Sequence, residues 1–120
     1  MRCAIFCNII DNFGDIGVCW RLARQLAAEY QLEVCLVVDD LTSFAVLAPQ
    51  LQPALATQPL DQITVQHWHS DVRFDQAYDL IIEGFGCRLS DALIHQMWQQ
   101  ASLVLICKLR VSMMDHSILY

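Results

Sequence analysis

Residues 2–29 read RCAIFCNIIDNFGDIGVCWRLARQLAAE, and the change of period inside this stretch decides the fold class. Arg2–Ile10 is a nearly continuous apolar run rich in Ile, Cys and Phe, the pattern of a strand buried on both faces. Asp11-Asn12-Phe13-Gly14-Asp15 interrupts it with turn-forming residues. From Ile16 the apolar positions Cys19, Leu22, Ala23, Leu26, Ala27 and Tyr30 follow at three- and four-residue steps, while Arg21, Arg24, Gln25 and Glu29 take the other face. Asp15 stands where an N-cap belongs. The stretch therefore predicts a buried strand, a tight loop and an amphipathic helix.

The same alternation continues. Glu33–Val38 reads as a second buried strand ending at Asp39-Asp40, and Leu41–Leu47 as a short helix stopped near Pro49. Gln50–Asp61, with Pro53 and Pro59, reads as a loop, and Ile63–Trp68 as a shorter edge strand. Leu80–Glu83 is a brief apolar strand, Gly84-Phe85-Gly86-Cys87 a turn, Ser90–Gln99 a helix and Leu103–Cys107 a last strand. Strands alternating with helices over short loops predict an α/β fold with a Rossmann-like, doubly wound parallel sheet. In such sheets ligands bind beyond the carboxyl ends of the strands, which singles out the loops Asp11–Gly17 and Glu83–Arg88.

Composition narrows the function classes. A chain of 120 residues holds at most one complete domain of ordinary size. With 13 acidic and 7 basic residues its formal charge is −6, and no Lys/Arg cluster offers a footprint for nucleic acid or an anionic membrane. Charged residues are 17% against 56% apolar, which excludes disorder and exceeds what a lone domain of this size needs to bury. Some of that apolar surface is expected to meet a partner outside this chain. No apolar run approaches a membrane span, and the N-terminus lacks a small-residue cleavage site, so the expected location is cytoplasmic. The six cysteines (Cys3, Cys7, Cys19, Cys35, Cys87, Cys107) form no C-x-x-C pair and lie in apolar runs. They read as reduced buried thiols, not as a disulfide framework or a zinc site.

The first loop places Asp11 and Asp15 around Asn12-Phe13-Gly14, with Gly17 in the opening turns of the helix. A glycine-bearing strand-to-helix turn is the usual phosphate cradle, yet two carboxylates repel phosphate and favour a cationic or proton-donating group. The plainer alternative, that Asp15 caps and Asp11 turns, accounts for one acid more readily than for two. Gly84-Phe85-Gly86 begins like a dinucleotide fingerprint but has Leu89 in place of the third glycine, which leaves a small NAD- or FAD-linked enzyme as a weak rival. Asp39 lies at a ribose-ligand distance downstream of the first loop, without the glycine pattern that would give this meaning. His67 and His69 resemble a metal pair but lack a third ligand, and His95 and His116 have no evident companion. Trp20, Trp68 and Trp98 read as core or interface groups. No serine sits in a nucleophile elbow.

The segment Ile5-Phe6-Cys7, then Ile10-Asp11-Asn12-Phe13-Gly14-Asp15-Ile16-Gly17-Val18-Cys19-Trp20-Arg21-Leu22-Ala23-Arg24-Gln25-Leu26-Ala27, closely resembles the N-terminus of the elongation factor P arginine rhamnosyltransferases, the EarP family. Asp39-Asp40-Leu41 with Phe44 and Pro49, Trp68-His69-Ser70-Asp71, and Ile82-Glu83 with Phe85, Cys87 and Leu89 are similar to it in the same order. The resemblance implies the N-terminal, Rossmann-like, acceptor-binding half of a GT-B glycosyltransferase, spanning residues 1–100 here. It implies an inverting, metal-independent transfer of rhamnose from the donor substrate dTDP-L-rhamnose to an arginine of elongation factor P, with no cofactor. Asp11 and Asp15 then match the family's two aspartates and become the catalytic pair, with Asn12, Phe13, Gly14 and Gly17 around the substrate. No metal site is implied.

Past Gln100 the resemblance fades, and residues 101–120 are expected to be a non-native tail of a truncated, frameshifted reading frame. Lys108–Ser112 can be encoded as AAA-CTT-AGA-GTA-TCT, and one nucleotide on, AAC-TTA-GAG-TAT-CTA restores the family's Asn-Leu-Glu-Tyr-Leu. The expected partners are elongation factor P and a nucleotide sugar, with the fragment inactive by itself. The alternative from another class is a non-catalytic Rossmann-like binding module.

Overall fold

The computed structural model describes residues 1–9, 14–68, 78–84, 90–100 and 105–108, with residues 14, 96–100 and 105–108 as backbone only. Arg2–Cys7 forms β1 and Gly14–Glu29 forms α1, followed by β2 (Glu33–Val38) and α2 (Leu41–Leu47). Then come β3 (Thr57–Leu60), β4 (Ile63–His67), β5 (Leu80–Glu83), α3 (Asp91–Gln100) and β6 (Leu105–Lys108). One six-stranded sheet holds them in the order β3-β4-β2-β1-β5-β6. Every neighbouring pair is parallel except β3 with β4. Leaving β3 aside, the parallel strands follow the doubly wound order in which the chain reverses direction across the sheet between β1 and β5.

The interior of β1 and β2 is apolar on both faces because both faces are covered. Cys3, Ile5 and Cys7 of β1, with Val34, Leu36 and Val38 of β2, meet Ile16, Cys19 and Ala23 of α1 and Leu41 and Phe44 of α2. Ala4 and Phe6, with Cys35 and Val37, face the opposite way, where Tyr78, Ile81 and Leu93 of α3 cover them. Period two in the strands thus sorts alternate residues into two apolar layers. Trp20 stands edge-on to Phe44 at 5.5 Å, and Trp68 edge-on to Phe6 at 5.2 Å, so two of the three tryptophans are packing groups. The Arg24 guanidinium lies 4.3 Å from the Trp20 ring centroid, covering it from outside.

Helix ends follow local chemistry. Asp40 caps α2, its carboxylate accepting from the Ser43 backbone N–H at 3.0 Å and the Ser43 hydroxyl at 2.6 Å. Ser90 caps α3 by accepting from the Leu93 N–H at 3.2 Å. Beyond α1, Gln31 adopts the left-handed conformation (φ 57°) that turns the chain into β2.

The sequence expectation needs three corrections. The stretch expected as loop from Gln50 to Asp61 contains β3, which pairs antiparallel with β4, so the sheet is mixed at that edge. Pro59 is tolerated there because β3 is the edge strand and needs no donor on its outer side. The strand Ile63–Trp68, expected at the edge, is interior because β3 shields it. And α1 begins at Gly14, which puts Asp15 inside the first turn and not at the cap. The last strand falls within the 101–120 stretch and pairs in parallel with β5. Cys3, Cys7, Cys19 and Cys35 are buried free thiols, as expected; Cys87 and the Cys107 side chain lie outside the described residues.

Candidate functional site

The strand order reverses between β1 and β5, and the crevice of a doubly wound sheet opens above the carboxyl ends of those two strands. Both loops singled out from sequence leave the sheet there. Of the residues expected to act, Asp11, Asn12 and Phe13 lie outside the described residues, as do Phe85 and Gly86. Gly14 and Asp15 open α1, and Gly17 lies one turn on.

Asp15 is half-buried at the head of a sixteen-residue helix, where the unpaired N–H groups favour a carboxylate. Gly17 is the other notable residue. Among the described residues nothing lies within 4 Å of where a Cβ would stand, so no packing demand in the described structure requires glycine there. A glycine inside a helix costs about 1 kcal/mol relative to alanine.

Two more acids close the same edge. Asp39 follows β2, and its Oδ1 accepts the Ile9 backbone N–H at 2.8 Å, while its own carbonyl lies 3.1 Å from Nε2 of His67. The negative charges of Asp15 and Asp39 both bear on the Cys7 thiol at the end of β1. That thiol is held protonated far above its usual range, first by hydrogen bonding with the Cys19 thiol, then by burial. Cys7 is thus an inert apolar floor, not a nucleophile. At the end of β5, Glu83 is 3% exposed and Gly84 N–H donates to the Phe6 carbonyl at 2.7 Å.

Two features that the sequence reading discounted have other partners in the structure. Asp39 is not free to act as a ribose ligand with Oδ1, because that oxygen is already engaged by Ile9. His67 is occupied with the Asp39 carbonyl, and His69 lies outside the described residues. Among the described residues no group of three or more His, Cys, Asp or Glu side chains is placed to hold a metal ion, and no helix is long and apolar enough to cross a membrane. The residue that sequence reasoning undervalued is Asp39. Its signals in sequence, a ribose-ligand distance from the first loop and a place in the Asp39-Asp40-Leu41 stretch, did not point to a bond with Ile9.

Fold and edge together define an α/β protein of the doubly wound kind, with carboxylates gathered over the carboxyl ends of its central strands. Residues 3–109 match the family described as Elongation-Factor P (EF-P) rhamnosyltransferase EarP, and the chain belongs to that family. It is 47% identical over 88 residues to the protein-arginine rhamnosyltransferase of Pseudomonas aeruginosa, covering 73% of this chain and 23% of that protein. The protein-arginine rhamnosyltransferase of Shewanella oneidensis is 42% identical over 94 residues, or 78% of this chain and 24% of the relative. That of Pseudomonas putida is 43% identical over 93 residues, with 78% and 25% covered. The chain therefore spans about a quarter of the length of these curated relatives.

Proposed function

We propose that this chain is the acceptor-binding part of a protein-arginine rhamnosyltransferase of GT-B architecture, with residues 1–100 as its N-terminal domain. The acceptor is an arginine of elongation factor P and the donor dTDP-L-rhamnose, whose binding half lies in the remainder of a full-length enzyme. Transfer is inverting and needs neither metal nor cofactor, the setting is cytoplasmic, and this chain alone binds without turning over.

The chemistry accounts for a pair of acids. A guanidinium is always protonated, delocalised and a poor nucleophile. One carboxylate can grip it through charge-assisted hydrogen bonds and fix one nitrogen toward the sugar. The other accepts the proton released as the N–C bond forms at the anomeric carbon and the bond to the nucleoside diphosphate breaks. Asp15 is assigned as base and Asp11 as the orienting partner, with Asn12, Phe13, Gly14 and Gly17 lining the approach. The observation that carries the reading is Asp15: half-buried in the first turn of α1, past the cap position and above the β1 end of the switch point, in a chain that belongs to this family.

The test is an NMR titration of the chain with elongation factor P, beside an Asp11→Ala/Asp15→Ala double variant. Loss of two charge-assisted contacts is expected to weaken binding by about 3 kcal/mol, more than a hundredfold. Equal binding by the variant, or none by a folded wild-type chain, would overturn the reading and leave a non-catalytic module.

A further inference from the structure

The rungs between β1 and β2 change character at one residue. In a parallel ladder, a residue that accepts from position j+1 of its neighbour is followed, two residues later, by one that donates to the carbonyl of that same j+1 position. Cys7 pairs with Val38 and its carbonyl accepts the Asp39 N–H at 3.3 Å, so the next rung would run from Ile9 N–H to the Asp39 carbonyl. It does not. Ile9 N–H donates instead to the Asp39 side chain, Oδ1, at 2.8 Å.

The displaced carbonyl has been taken up on the other side. It lies 3.1 Å from Nε2 of His67, the residue that pairs with Val38 at the end of β4. The next residue along, Trp68, donates its N–H to the Val38 carbonyl at 2.8 Å. So the two ladders end at the same level, Cys7–Val38–His67, and among the described residues β1 is held to β2 beyond that level through a carboxylate. A side-chain acceptor reaches further from its own backbone than a carbonyl does, which lets β1 diverge without leaving a half-buried N–H unsatisfied.

Ile9 stands two residues before Asp11, and Asp15 opens the helix that follows. We infer that Asp39 is a positioning residue: its side chain replaces its own carbonyl in the ladder, and so fixes the point and direction at which β1 departs toward the paired acids. His67 is the brace that turns the Asp39 carbonyl away and frees the rung. The assignment rests on the reading of Asp11 and Asp15 given above, and it attributes to Asp39 an acceptor oxygen, not a charge.

That distinction makes it testable in the 120-residue chain. Asp39→Asn keeps an acceptor oxygen at the same reach and removes the charge, whereas Asp39→Ala removes both. Amide exchange at Ile9 and titration with elongation factor P are followed for each, with Asp15→Asn as the control. In Asp39→Ala the Ile9 amide is expected to exchange about tenfold faster and acceptor affinity to fall by about five- to tenfold. Asp39→Asn should stay within about twofold of wild type in both. If the alanine variant fails to fold, Asp39→Ser, too short to reach Ile9, takes its place.

Unchanged Ile9 exchange in a folded alanine or serine variant overturns the assignment, as does an asparagine variant as damaged as the alanine one. Binding lost in Asp15→Asn but intact in Asp39→Ala overturns this assignment alone. A folded wild-type chain that ignores elongation factor P overturns the functional reading and this one with it.

Discussion

At the amino-terminal edge of the sheet Arg2 ties two acids together, its Nε 2.8 Å from Glu33 and its backbone N–H donating to Asp79 at 3.0 Å. At the carboxyl-terminal edge Asp39 and Asp40 are held by backbone N–H and hydroxyl donors, which satisfy the oxygens without cancelling the charge. The first arrangement stitches strand ends and points to nothing. The second gathers acids at the carboxyl ends of the strands, with Asp15 at the head of α1 and the buried Glu83 at the end of β5. The two edges thus differ in what their acids meet, Arg2 at one and backbone N–H and hydroxyl donors of neighbouring loops and helices at the other.

The largest effect should come from the tightest place on the carboxyl edge. A Cβ on Gly84 would stand 2.6 Å from the Phe6 carbonyl oxygen and 3.2 Å from Cys19 Sγ, and backbone cannot swing aside. Gly84→Ala is expected to cost about 3 kcal/mol in urea unfolding, with no counterpart at the amino edge. A loss under 1 kcal/mol would mean that the β5 exit yields more readily than close packing allows.

Gly17→Ala sharpens the contrast from the other direction. Among the described residues its Cβ would meet nothing within 4 Å, so the helix should gain about 1 kcal/mol in thermal unfolding while acceptor affinity falls. A gain in stability with unchanged affinity would remove Gly17 from the site.

Asp40→Ala should cost about 1 kcal/mol by uncapping α2. The Ser43 hydroxyl, then its N–H, hold the Asp40 carboxyl below its ordinary value in the folded chain. Its contribution is therefore complete above the ordinary carboxylate range and is lost as pH falls through that range toward the lowered folded value. Asp40→Asn should flatten that part of the acid limb, which a pH series of unfolding curves would display.

The smallest effect belongs to the amino edge. Glu33 is 72% exposed in its pair with Arg2, and Glu33→Gln should change stability by about 0.5 kcal/mol or less. A larger loss than Asp40→Ala would reverse the ranking of the two edges.

Much of the framework was legible in the chain. The α2 helix falls at the expected residues, Leu41–Leu47, and β2 at Glu33–Val38, because apolar period and a capping aspartate act locally. The β3 strand was not legible. Its four residues TQPL contain a proline and show no strong alternation, and what holds them is pairing with β4 and Gln58, which bonds to Gln52 and Leu55. Asp15 was legible as an acid at a helix start, but whether it capped the helix depended on where the first turn closed. The tie from Asp39 to Ile9 joins residues 30 apart in sequence and has no local signature.

By itself, the sequence determined the α/β alternation, the apolar layers on each side of β1 and β2, and the family, since each depends on residue types in order along the chain. Tertiary structure alone decided that the sheet reverses between β1 and β5, that β3 closes the edge, and that Asp39 lends a side-chain oxygen to a ladder its own carbonyl has left. The physical reason is range. Period, capping and turn chemistry act over a few residues, whereas a buried N–H takes whichever acceptor the folded chain brings within reach.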